Sequence, residues 1–226
     1  MRDPSLASLS AEQLDQFRAA ILTNVESLYL DARLLMENGR YARAMSLAIL
    51  AREELAKLVP VWVVRSGLSP LGLNELVDLR EHSSKLLLAL VMDVVTRLAL
   101  TDADEDAVRS TMKNFVAEGL SDGGERLSRT VRRTNALKQY GFYVAWTVTE
   151  PRSASPPDKL FTEDDARPFV NILINHLLFA YPCDAAVSMV ARGVRSVADI
   201  SPEDLGRMAS EAEPHVMRVL SYLRPA

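Results

Sequence analysis

The stretch that decides the fold is "GRYARAMSLAILAREELAKL", residues 39–58. Its content of alanine and leucine favours a helix, yet charges appear within this apolar run. On a wheel of ~100° per residue, one arc holds the polar side chains Arg43, Ser46, Glu53, Glu54 and Lys57, and Arg52 projects to the opposite side. Glu53 and Lys57 are four residues apart, in the order that favours an ion pair. The side chains of this polar arc therefore need either solvent or polar partners on another helix. The arc does not explain Arg52, which lies on the opposite side.

Composition points to a helical protein of one domain. The chain has 226 residues, nine glycines and abundant Leu, Ala, Arg and Glu, which favours helix and suits a single large core. The net charge is −4, so binding to RNA or membrane would need a local basic patch. One cysteine, Cys183, excludes a disulfide framework and fits a reducing cytoplasm. The N-terminal segment lacks the apolar core of a signal peptide, and we expect a cytoplasmic protein with no membrane span.

Caps and breakers along the chain predict a series of helices. Ser10 with Gln13 forms a capping box, and Asn38-Gly39 ends the helix that it opens. Further helices are expected at about 40–65 (kinked or ended by Pro60), 74–100, 102–121, 125–147, 163–181 (ended by Pro182), 184–193 and from 202 onward, with a surface loop at 149–162. No strand pattern is evident. We predict an all-α bundle, one domain over 1–226, with a core at about 10–150 and helices 163–226 packed on it.

The predicted third helix carries a second polar stripe. Its members recur at helical spacing and are Glu75, Asp78, His82, Lys85 and Asp93. Asp93 is the only charge in "LLLALVMDVV" (86–95), a segment that we expect to be buried, and a buried charge needs a partner. Two readings stay open: both stripes are solvated faces, or they meet, within one chain or across a dimer, as a polar site.

The predicted fifth helix is basic. Arg126, Arg129 and Arg133 recur at i, i+3 and i+7, with Arg132 and Lys138 nearby. Such a stripe is either a solvated or acid-paired face, or a surface that contacts phosphate groups of RNA.

Motifs for metals and common cofactors are absent from the sequence. The three histidines are far apart, without HExxH or CxxC spacing, and no P-loop, GxGxxG or GxSxG occurs. We therefore expect no metal site and no cofactor. His176 lies in an apolar helix and is interpreted as a core histidine, and Cys183 as a small buried residue.

Three blocks resemble the AbiV family of abortive-infection proteins. The first is "LLMENGRYARAMSLAILAREELAKL", the second is "REHSSKL" (80–86), and the third comprises "ALKQYGFYVAW", a proline-containing loop and "FTEDDARPFV" (161–170). They follow the family order over about residues 30–170. The positions that match the family pattern are Glu53, Glu54, Lys57, His82, Lys85, Lys138 and Tyr143.

This resemblance implies a helical bundle of the HEPN class, whose members often form dimers and often act as ribonucleases in phage defence and toxin systems. It implies an abortive-infection protein that shuts down host translation on infection, with RNA, a second copy and a phage-encoded activator as partners. The chain departs from the pattern in two places. No histidine follows an arginine at the spacing of many HEPN ribonucleases, and Ala145 replaces an expected acid.

Two functional hypotheses follow. In the first, the chain is a metal-independent endoribonuclease in which His82 serves as general base or acid and Glu53 or Glu54 orients it. The charge on the phosphorane is stabilised by Lys57, Lys85 and Lys138. The RNA backbone is held by Arg126, Arg129, Arg132 and Arg133. In the second, the stripes fix helix register or a dimer seam, and the chain acts by binding a phage or host protein without catalysis.

Overall fold

The computed structural model describes residues 6–66, 85–86, 88–90, 92–93, 96, 110, 123–142, 145–146, 154–155, 159–191 and 200–222. After a 3₁₀ turn at Leu6–Ser8, these ranges contain helices α1 (Ala11–Glu37), α2 (Tyr41–Leu55), α3 (Leu58–Arg65), α4 (Gly123–Phe142), α5 (Glu163–Ala191) and α6 (Pro202–Ser221). The described residues between 85 and 96 are helical as well. The all-α class expected from the sequence is confirmed.

Local caps explain where several helices begin. Ser10 and Gln13 form the predicted reciprocal capping box at the start of α1. Gly39 adopts φ 70° in the turn between α1 and α2, a conformation that glycine adopts without a steric penalty. Ser201 and Asp204 make an equivalent box before α6. These short-range bonds satisfy N–H groups that have no partner within the helix.

The predicted helix over 40–65 is two helices. α2 ends at Leu55 and α3 begins at Leu58, so the chain breaks at residues 56–57, before Pro60. Pro60 has no N–H and its ring crowds the carbonyl four residues earlier, that of Ala56. In the first turn of α3, this missing donor costs nothing. The helix is therefore interrupted, as predicted, but the interruption falls three to four residues before the proline.

The predicted end at Pro182 is wrong, because α5 runs without interruption from Glu163 to Ala191 and contains both Pro168 and Pro182. Buried side chains flank Pro182 on both sides, among them Leu177, Tyr181 and Ala185. Packing of these residues against the bundle offsets the hydrogen bond that the proline removes. By length and composition α5 is apolar enough to cross a membrane. Half of its most apolar stretch of 18 residues is, however, buried inside the bundle.

The segment after α4 also differs from the prediction. α4 ends at Phe142, not near residue 147, and Ala145–Trp146 pairs antiparallel with Ala154–Ser155. Each strand has two residues, too few to show the alternation by which strands are recognised. Most of the predicted helices over 74–100 and 102–121 lies outside the described residues.

The core lies where α2 packs against α1, α4 and α5. Its members are mostly small or aliphatic and include Val25, Ala48, Leu55, Leu173 and Leu177, each essentially inaccessible to water. α6 packs on α5. Because α2 is surrounded on several sides, its polar side chains must find partners inside the bundle.

Candidate functional site

The polar arc of α2 faces α4 at close range. Ser46, which is fully buried, donates from its hydroxyl to the backbone carbonyl of Lys138 at 2.8 Å. Gly141 lies at the same seam, where an added Cβ would clash with Ser46 Oγ and with the carbonyl of Ala42. The absence of a side chain at residue 141 thus allows the two helices to approach closely.

Glu53 and Lys138 form a buried ion pair across this seam. Lys138 Nζ lies 2.5 Å from Glu53 Oε1, and the two side chains are 4% and 0% exposed. At this burial the two charges stabilise each other, because each is shielded from water and needs compensation by an opposite charge. The solvated-face reading of the arc is therefore wrong for Ser46 and Glu53. The seam joins α2 to α4 at two points.

Lys57 has a different partner from the one predicted. Its ammonium lies 2.6 Å from Glu54 Oε2, whereas Glu53 is paired with Lys138. The predicted Glu53–Lys57 pair depends on helical spacing, but the helix is interrupted at residues 56–57 between α2 and α3. The Glu54 and Lys57 side chains are 17% and 19% exposed, so this second pair is accessible to solvent.

Arg52 belongs to a second buried cluster, on the other side of α2. Its Nη2 lies 2.5 Å from Asp93 Oδ2, and His176 Nε2 of α5 lies 2.8 Å from Asp93 Oδ1. Burial by itself raises the pKa of Asp93, but the close contact with the His176 ring nitrogen and the charge of Arg52 outweigh it and hold that pKa below its ordinary value. Asp93 therefore has a charged partner, as predicted, but the partner is Arg52 and not a residue of the polar arc. His176 is buried, as expected for a core histidine.

One face of α4 is basic and open to solvent. Arg129, Arg132 and Arg133 are exposed, and within the part of the chain that the structure describes no carboxylate pairs with them. Lys138 is nine residues after Arg129, half a turn out of phase, so it points to the buried side. Tyr140, 48% exposed, is eleven residues after Arg129 and shares its face. α4 thus joins a core ion pair on one side to a cationic and aromatic surface on the other.

The remaining predicted site residues are only partly visible. Lys85 is 7% exposed, whereas His82, Tyr143 and the side chain of Arg126 lie outside the described residues. The structure therefore brings together Glu53 with Lys138 and Glu54 with Lys57, and the placement of His82 stays a prediction. Among the described residues, no group of three His, Cys, Asp or Glu side chains is arranged to hold a metal ion.

Cys183 is less enclosed than expected, since its residue is of intermediate exposure. Burial of the thiol and the neighbouring charge of Asp184 raise its pKa to about 12. The thiol is therefore protonated at neutral pH, which makes it a poor nucleophile and metal ligand.

Sequence reasoning missed the Arg52–Asp93–His176 cluster, although two signals pointed to it. Asp93 is the only charge in an apolar segment, and Arg52 is the only charge on the wrong side of its helix. Two isolated charges of opposite sign in apolar surroundings are natural partners.

Comparison with known proteins gives one family. The HEPN_AbiV profile, described as AbiV, matches residues 13–175, well over half of the chain. No curated protein and no solved structure matched significantly.

Proposed function

The chain belongs to the AbiV family of HEPN proteins, a family of abortive infection in phage defence, and we propose that it acts by binding and cleaving RNA. The observation that carries this proposal is the face of α4 with Arg129, Arg132 and Arg133 exposed. Three cations on one helix face, with no acidic partner among the described residues, suit the regularly spaced phosphates of a nucleic acid. The exposed ring of Tyr140 adds a surface on which a base can stack.

In the proposed reaction the 2′-oxygen of a ribose attacks the adjacent phosphorus. The bond from phosphorus to the 5′-oxygen breaks, and the products carry a 2′,3′-cyclic phosphate and a 5′-hydroxyl. His82 takes the proton of the 2′-hydroxyl as general base, since an ordinary histidine pKa of about 6.5 suits this role. Water supplies the proton that the departing 5′-oxygen requires.

The lysines that were predicted to stabilise the phosphorane differ in burial, and we assign them different roles. Lys57 is partly exposed beside Glu54 and remains a candidate for stabilising charge on the phosphorane. Lys138 is enclosed by its pair with Glu53, so we assign these two residues to positioning α4 against α2. Substitution of either should affect catalysis through the fold and not through contact with RNA.

RNA binding is tested by fluorescence anisotropy with a short single-stranded RNA at several salt concentrations. The triple variant R129Q/R132Q/R133Q should bind more weakly than wild type. Its slope of log K against log salt should be smaller by about 2, because each lost phosphate contact removes about 0.7. R207Q is the matched control, since Arg207 is an exposed arginine of α6 whose described ion pair is with Glu203 on the same helix. Equal slopes for the triple variant and wild type would show that these arginines do not contact the phosphates of RNA, and would contradict the proposed role of this face.

A second candidate function is supported by the buried Glu53–Lys138 pair. Family-matching positions that are sealed in the core fit a scaffold that acts by binding a phage or host protein, as a homodimer in the cytoplasm. In that case the purified chain binds no RNA, and loss of the ion pair impairs folding or dimerisation. The RNA titration above separates the two candidates, and size-exclusion chromatography with light scattering on wild type tests whether the chain forms the homodimer that the second candidate requires.

A further inference from the structure

A polar cleft lies on another side of the bundle, between α1, α3, α5 and α6. Its volume is about 580 Å³, within the usual range for small-molecule sites of about 300–1,000 Å³. One wall comes from α1 and α3, within the AbiV match. The other comes from α6 and the end of α5, which follow residue 175, where the match ends. The C-terminal helices thus complete a cleft that the family core alone does not form.

Three arginines from three helices line this cleft. They are Arg18 of α1, Arg65 of α3 and Arg218 of α6, and the acids that line it with them are Asp184 and Glu211. The arginine side chains are 24%, 17% and 49% exposed. They are therefore held in place by the surrounding protein and still reachable by a solute.

The pairing of these arginines leaves hydrogen-bond donors unused. Arg65 reaches Asp15 with Nη2 at 2.8 Å and the Ser188 hydroxyl with Nη1 at 3.0 Å. All contacts of Arg218, to Glu26, Tyr181 and His215, run through Nη2. A guanidinium group has five N–H donors. Among the described residues, none accepts a hydrogen bond from Arg65 Nε or from Nε and Nη1 of Arg218.

A stacked aromatic pair lines the cleft beside Arg218. The rings of Tyr181 and His215 lie 4.6 Å apart and are nearly parallel, with an interplanar angle of 6°. His215 Nδ1 is 3.2 Å from Arg218 Nη2. The wall next to the arginine is therefore preformed, which lowers the entropic cost of binding a ligand there.

We propose that this cleft binds a small molecule that carries phosphate groups, held by the unused N–H donors of Arg65 and Arg218. Phosphate oxygens match the planar fork of a guanidinium group, and two such groups from different helices suit a ligand with two linked phosphates. This proposal is independent of RNA cleavage, because it uses other residues on another side of the molecule. A ligand in this position would bridge the family core and the C-terminal helices.

The test is isothermal titration calorimetry of the full chain with inorganic pyrophosphate, repeated at several ionic strengths that are each held fixed during the titration. Wild type should bind pyrophosphate at one site, more weakly as salt rises. R65Q and R218Q should each weaken binding by about tenfold or more, the effect of losing a charge-assisted hydrogen bond. Both variants leave the carboxylates with other partners. Asp15, the closest carboxylate to Arg65, keeps Arg18. Asp184 keeps Arg18 and Trp62, and Glu26 keeps two tyrosine hydroxyls.

R207Q is the matched control, since it removes a positive charge from α6 outside the cleft, and it should bind as wild type does. S188A serves if R65Q does not fold. It removes the hydroxyl that positions the Arg65 guanidinium group, so it should also weaken binding because that group is then less fixed. Absence of saturable binding to wild type would show that the arginines serve only as links between helices. Equal affinity of R218Q and R207Q would also overturn the proposal.

Discussion

At the scale of single residues, the ion pair between Glu53 and Lys138 is the most enclosed charged contact that the structure describes. Its side chains are 0% and 4% exposed, so removal of one partner takes away the opposite charge that stabilises a buried ionised group. We expect K138M to lower the free energy of unfolding by about 3–5 kcal/mol. Urea denaturation followed by circular dichroism measures this loss.

Two further variants separate the ion pair from general packing. The double variant E53M/K138M should be more stable than K138M, because both buried charges are then replaced by apolar side chains. K57M removes the partly exposed lysine beside Glu54 and should cost far less than K138M. A loss of equal size in K57M and K138M would contradict the distinction between the two pairs.

The cluster around Asp93 predicts acid sensitivity. The pKa of Asp93 is held below its ordinary value of 3.8, so ionised Asp93 stabilises the fold above that value. This stabilisation is lost as pH falls through the lower pKa of the folded state. D93N should be less stable than wild type at pH 7, and the difference should narrow as pH decreases below about 4. Urea denaturation of both proteins between pH 7 and pH 3 measures the difference, and a constant difference over this range would contradict the assignment.

At the scale of elements, the close approach of α2 and α4 depends on Gly141. A methyl group there would clash with Ser46 and with the Ala42 carbonyl. We expect G141A to destabilise the fold by about 1–3 kcal/mol, the usual cost of overpacking, although alanine favours helix more than glycine does. Thermal or urea unfolding measures the change.

Gly206 provides the control for this substitution. It is also a helical glycine, in α6, but an added Cβ would meet nothing within 4 Å. G206A should therefore be neutral or stabilise the protein by up to about 1 kcal/mol. If G141A behaved like G206A, α2 and α4 would not be packed as closely as described.

Helix caps and buried ion pairs differ in how far they could be predicted from the sequence. Capping residues such as Ser10 and Ser201 act on N–H groups three residues away, so their roles are readable from local order. Lys138 meets Glu53 across 85 residues, and His176 meets Asp93 across 83. Such pairs are set by packing in three dimensions. The prediction that Pro182 ends its helix was wrong for the same reason, because burial of the neighbouring side chains offsets the backbone hydrogen bond that the proline removes.

At the scale of the whole molecule, α4 connects the core to the proposed RNA surface. Its buried side fixes the helix against α2 through Lys138, and its opposite side presents Arg129 and Arg133. A rigid helix holds these cations at fixed spacing, which favours binding to a regular phosphate backbone. On this account, loss of the buried pair weakens RNA binding indirectly, through loss of structure, whereas loss of the arginines leaves the melting temperature unchanged.

The most direct test of the central claim is cleavage of RNA by the purified full-length protein, with H82A for comparison. Wild type should release products ending in a 2′,3′-cyclic phosphate, detected by mass spectrometry. H82A should have the same circular dichroism spectrum and melting temperature, bind RNA with similar affinity, and cleave at least about a hundredfold more slowly, the usual contribution of a general base. Absence of cleavage by wild type on any RNA bound through the arginine face, or cleavage that survives in H82A, would contradict the account.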